Sequence, residues 1–73
     1  MAQTDVLSEI NGSIWKILVK EGDSISEDET LVVVESMKME IPVLAPVSGM
    51  VGKILVAEGQ PVAEGEAIAY INH

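Results

Sequence analysis

Cysteine, arginine and phenylalanine are all missing from the chain. Without thiols there is no disulfide framework, no thiolate nucleophile and no sulfur-ligated metal site. Without arginine, 4 lysines face 12 acidic residues, and the net charge is −8. Such a surface repels phosphate backbones and anionic headgroups, so neither nucleic acid nor a membrane surface is expected as a partner. Aromatics are limited to Trp15 and Tyr70, so the core has to be built from Val, Ile, Leu and Met. The opening Met-Ala-Gln-Thr-Asp has no basic segment leading into an apolar stretch, and runs such as Leu31–Val34 are far too short to cross a bilayer. A soluble, cytoplasmic protein is expected. At 73 residues it reads as a single domain over 1–73, close to the size at which one unstapled core is barely sufficient.

What the chain does contain is a repeat. Shifting the sequence by 37 residues lays 6–36 over 43–73 without a gap, with 11 identities in 31 positions. They include Val6/Val43, Gly12/Gly49, Lys16/Lys53, Glu21/Glu58, Glu27/Glu64 and Glu29/Glu66. Ile14/Val51, Ile25/Val62, Leu31/Ile68 and Val34/Ile71 are apolar in both copies. Each copy reads as a short strand (Val6–Leu7, Val43–Leu44), a turn closed by Gly12 or Gly49, and a longer strand (Ser13–Val19, Met50–Val56). A second turn at Glu21-Gly22 or Glu58-Gly59 leads to a last strand, Thr30–Glu35 or Ala67–Ile71. The consecutive Ile17, Leu18 and Val19 break alternation, which leaves a bulge, strong twist or burial of both faces open. Ser26 with Glu29 imitates a helix capping box, but the block Leu31-Val32-Val33-Val34 lacks helical spacing. Two all-β units, neither able to bury its apolar face alone, are expected to pack about a pseudo-two-fold into a small flattened barrel or sandwich. That axis brings the termini together at the end opposite the junction between copies, residues 37–42.

Lys38 lies in this junction, outside the duplicated scaffold. Lys16 and Lys53 are repeat-equivalent and read as structural or solvating, and Lys20 aligns with Ala57. Met37 and Met39 flank Lys38, and Glu35 and Glu40 stand beyond them. Spacing alone allows two readings. The methionines could plug the barrel end beside a solubilising lysine, or they could form a flexible surface for another protein to grip. Trp15, where the second copy has Gly52, is read as packing or as a docking contact. Asp23, Glu27, Asp28, Glu29, Glu64 and Glu66 read as a solvated rim, because no loop spaces them as metal ligands. His73, the sole histidine, stands at the end of the sequence and reads as incidental.

The run Glu35-Ser36-Met37-Lys38-Met39-Glu40 resembles the Met-Lys-Met motif of the biotinyl/lipoyl attachment domains, in particular a thumbless biotin carboxyl carrier domain. The tandem halves and the turn positions Gly12, Gly22-Asp23, Pro46, Gly49, Gly59 and Pro61 are similar to that family over essentially the whole chain. The resemblance implies an all-β flattened barrel of two four-stranded antiparallel sheets. It also implies a non-catalytic carrier with biotin held as an amide on Lys38, and Met37 and Met39 recognised by a biotin–protein ligase. The partners implied are a biotin carboxylase and a carboxyltransferase, encoded separately from a chain this short, with the free carrier a monomer. Ser36 stands where many members have Ala, and the equal loops 21–30 and 58–67 leave no room for an inserted thumb. Lipoyl domains share the fold, so lipoate on the same lysine stays open, although their usual Asp-Lys-Ala is absent. An unmodified β-barrel interaction module is the non-carrier alternative. A Schiff-base enzyme is the weakest reading, since it needs an apolar pocket around the amine and a substrate cleft.

Overall fold

The computed structural model describes residues 2–73. Eight strands follow one another: β1 (Gln3–Leu7), β2 (Gly12–Ile17), β3 (Ser24–Ile25), β4 (Thr30–Ser36), β5 (Met39–Leu44), β6 (Gly49–Ile54), β7 (Pro61–Val62) and β8 (Ala67–Asn72). They form two four-stranded sheets, β1-β8-β6-β3 and β5-β4-β2-β7, in which every pairing is antiparallel. Adding 37 to each residue of the first half turns β1 into β5, β2 into β6, β3 into β7 and β4 into β8. One sheet order thereby becomes the other, which is the pseudo-two-fold expected from the repeat.

The core consists of the apolar pairs that the repeat aligns. Val6/Val43, Ile14/Val51, Ile25/Val62, Leu31/Ile68 and Val34/Ile71 are all buried and belong to one cluster between the sheets. Neither sheet could hide these side chains alone, so each sheet excludes solvent from the other's inner face. The molecule is elongated, 36 × 18 × 18 Å.

Several sequence expectations need correction. Each half has four strands rather than three, because the two-residue β3 and β7 are too short to leave a periodic signal. The long strands end at Ile17 and Ile54, leaving Val19 and Val56 buried beyond them. The run Ile17-Leu18-Val19 breaks alternation because β2 ends at Ile17; the bulge lies upstream, where the register shifts between Ile14 and Lys16 on β2 and between Val51 and Lys53 on β6. Gly12 and Gly49 do not close turns. They are strand residues at which a side chain would run into the backbone carbonyl of Glu35 or Asn72. The apparent capping box closes a tight turn in place of a helix, with Glu29 Oε1 accepting from the Ser26 N–H at 2.9 Å.

That turn belongs to a duplicated set of side-chain clasps. Glu66 Oε1 accepts from the Ala63 N–H at 3.0 Å, as Glu29 does from Ser26. Asp23 Oδ2 accepts from Lys20 N–H at 2.9 Å, and Gln60 Oε1 from Ala57 N–H at 3.1 Å. Glu58 Oε2 reaches the Ile17 N–H at 3.1 Å while Glu21 Oε2 reaches that of Ile54 at 3.2 Å, so each half's turn caps the other half's strand end. Asp23, Glu29 and Glu66, read from sequence as a solvated rim, are therefore exposed carboxylates that also satisfy backbone donors.

Candidate functional site

β4 and β5 form a hairpin whose register runs Val34↔Ile41, Glu35↔Glu40 and Ser36↔Met39, leaving Met37 and Lys38 as the whole loop. Both have positive φ, 52° at Met37 and 67° at Lys38. Two consecutive left-handed residues in a two-residue loop make a type I′ turn, whose twist matches that of the strands it joins. Asn-Gly is the ordinary sequence for it. A side-chain-bearing L-residue in this region costs about 1–2 kcal/mol, and this tip places two side by side.

Lys38 is exposed at the tip. Met37 is 93% exposed and Met39 63% exposed, so neither plugs the barrel end. Val34 anchors the hairpin from below, fully buried opposite Ile41. One residue nearer the tip, Glu35 and Glu40 lie directly across from each other, and both are exposed. Like charges in that position destabilise a sheet. The tip thus combines three features that a hairpin selected only for stability would avoid: two strained residues, two bare methionines and a facing carboxylate pair. The sequence-predicted residues Met37, Lys38 and Met39 are brought together. Glu35 and Glu40 were not singled out as a facing pair, although Glu stands at both ends of ESMKME and a two-residue loop at its centre makes the pairing inevitable.

The remaining candidates lie elsewhere. His73 is on the other sheet, its Nε2 hydrogen-bonded to Thr4 Oγ1 at 2.6 Å. Its backbone exchanges two hydrogen bonds with Ala2, of 2.8 and 2.9 Å. The pair Ala2–His73 is the repeat equivalent of Met39–Ser36, so the two ends of the described residues meet as expected. Trp15 occupies the bulge of β2, 43% exposed, with Lys16 Nζ 5.8 Å from its ring centroid. Among the described residues no group of three or more His, Asp or Glu side chains converges as a metal site.

The site thus presents a primary amine at the apex of a solvent-exposed two-residue turn. Residues 4–71 match the sequence profile of a family described as "Biotin-requiring enzyme". The chain is 59% identical over 39 residues to the "Biotinylated protein TB7.3 homolog" of Mycolicibacterium smegmatis, covering 53% of this chain and 55% of that protein. It is 50% identical over 32 residues to the "Biotin/lipoyl attachment protein" of Bacillus subtilis, covering 44% of each. These alignments thus span about half the length of the curated relatives. Among solved structures, the urea carboxylase of Kluyveromyces lactis superposes with a TM-score of 0.93 at 33% identity, over 99% of this chain and 6% of that one.

Proposed function

Because the chain belongs to the biotin/lipoyl attachment family, we propose that residues 1–73 act as one non-catalytic carrier domain with Lys38 as the attachment residue for biotin. The observation that carries this reading is the exposed, strained tip: Lys38 stands at the apex of the β4–β5 turn between two solvent-facing methionines. A biotin–protein ligase would grip Met37 and Met39 and supply an activated biotin carboxyl group. The Lys38 amine attacks that carbonyl, an amide forms, and the activating group leaves with the amine proton passing to the ligase or solvent. No general base is required of this chain. Once attached, biotin supplies a ureido nitrogen that carries a carboxyl group. The chain's own contribution is reach: a rigid hairpin ending in a long flexible arm, able to present the same atom to a biotin carboxylase and then to a carboxyltransferase. The family description and the biotinylated relative support biotin over lipoate.

The test is the intact mass of the chain after incubation with biotin, ATP and a biotin–protein ligase, beside Lys38→Arg. A single biotinyl adduct, absent from the variant, is expected. An adduct on Lys16, Lys20 or Lys53, or none at all, would overturn the assignment; a lipoyl adduct in protein from its host would replace biotin with lipoate.

A further inference from the structure

Away from the tip, the two sheets leave an open groove where the edge strands β1 and β5 face each other. Its walls are two-fold equivalents. Leu7 and Leu44, 47% and 45% exposed, form an apolar floor to which each half contributes one leucine. The rim carries Asp5, Glu9, Asp28 and Glu64, and no lysine is among the lining residues. The loops bearing that rim are pinned. Asp28 N–H donates to the Ala45 carbonyl and Gly65 N–H to the Ser8 carbonyl, both at 2.8 Å, and the Glu64 N–H is held by Asn11 Oδ1 at 2.8 Å.

Apolar side chains half exposed at equivalent positions, inside a ring of one charge sign, make a surface with a definite complement. We propose that this groove docks a segment of a partner protein in which apolar side chains, placed for Leu7 and Leu44, alternate with lysine or arginine. A second copy of this chain fits poorly, because it would bring the same acidic rim and a charge of −8 against this one. Leu44 lies at the far end of β5 from the turn, and at 3.3–3.4 Å per residue that is roughly 20 Å from Lys38. The groove reaches along β5 as far as Ile41, and a partner seated on Leu7 and Leu44 occupies its end remote from the turn. This rests on the carrier reading for its purpose: a grip on the body keeps the domain near its enzyme while the arm moves between sites, raising effective concentration without covering the modified lysine. Binding itself does not depend on modification, so the two ideas fail separately.

The experiment is a titration of the ¹⁵N-labelled chain, followed by amide chemical shifts, with a blocked heptapeptide in which lysines alternate with two leucines and a central alanine. Saturable shifts are expected at Leu7, Asp28, Leu44 and Glu64 and not at 35–40. They should be absent with a peptide whose leucines are serine, and absent with one whose lysines are glutamate. Leu7→Asn with Leu44→Asn should weaken binding by about tenfold. Leu18→Asn with Leu55→Asn, another two-fold pair of exposed leucines outside the groove, should leave it unchanged. Equal shifts with the serine peptide, or shifts centred on the hairpin, would overturn the proposal. So would self-association of the free chain that the Leu7/Leu44 variant abolishes, which would make the occupant a second copy.

Discussion

Met37 and Lys38 occupy backbone positions that glycine and asparagine fill at no cost, and the price is set by stereochemistry, independent of what the side chains touch. Exchanging the function for the turn's own preference should therefore stabilise the fold. Met37→Asn with Lys38→Gly is expected to raise the unfolding free energy by about 1–2 kcal/mol in urea denaturation, while removing the amine proposed for attachment. An unchanged or lowered midpoint would show that the tip is not strained. Asp28 supplies an internal reference, being left-handed at φ 71° where its repeat partner Gly65 has 85°. Strain at Asp28 is of the tolerable kind, since short polar side chains visit this region more readily. Methionine and lysine have no such excuse.

At the scale of the element, the two bulges show how one fold solves the same packing problem twice. On β2 the bulge residue is Trp15, beside Lys16, which pairs with Val33. On β6 it is Gly52, and the aromatic is Tyr70, the repeat equivalent of Val33, whose ring fills the space a Cβ on Gly52 would take. Each bulge thus has one aromatic, supplied on β2 by the bulged strand itself and on β6 by its neighbour β8. Gly52→Trp alone should destabilise by about 3 kcal/mol through overpacking. Gly52→Trp with Tyr70→Val transplants the other half's solution and should recover most of that loss, giving a coupling energy of about 2 kcal/mol in a double-mutant cycle. Strict additivity would refute the exchange. This arrangement also marks where sequence reading stops. The self-alignment exposed Trp15 against Gly52 as a mismatch, but the compensating swap at Tyr70 depends on which residues a bulge brings side by side. Strand identity, the core pairs and the junction were legible because apolar identity and glycine spacing recur at a fixed shift. β3 and β7 were not, since two residues carry no period. The clasps by Glu21 and Glu58 were also hidden, because an exposed carboxylate looks alike whether or not it accepts a backbone N–H from the other half.

For the molecule as a whole, a charge of −8 on 73 residues is a self-repulsion that compactness worsens. Added salt screens it, with a Debye length near 10 Å at 0.1 M and near 3 Å at 1 M. The thermal midpoint should therefore rise with sodium chloride, and Glu40→Gln, which dissolves the facing pair at the hairpin root, should flatten that rise. A midpoint indifferent to salt would mean that the acidic groups are already compensated. The hydrogen-bonded pair Ala2–His73 has a different consequence. It is the same closure as Ser36–Met39 on the opposite sheet, lacking only a loop to cross it. Linking His73 to Ala2 through a Met-Lys dipeptide in place of Met1 would close that pair with the same two-residue loop and create a second tip. The single seam between the two copies is thus what gives the chain one Met-Lys turn, and a cyclised form would carry two.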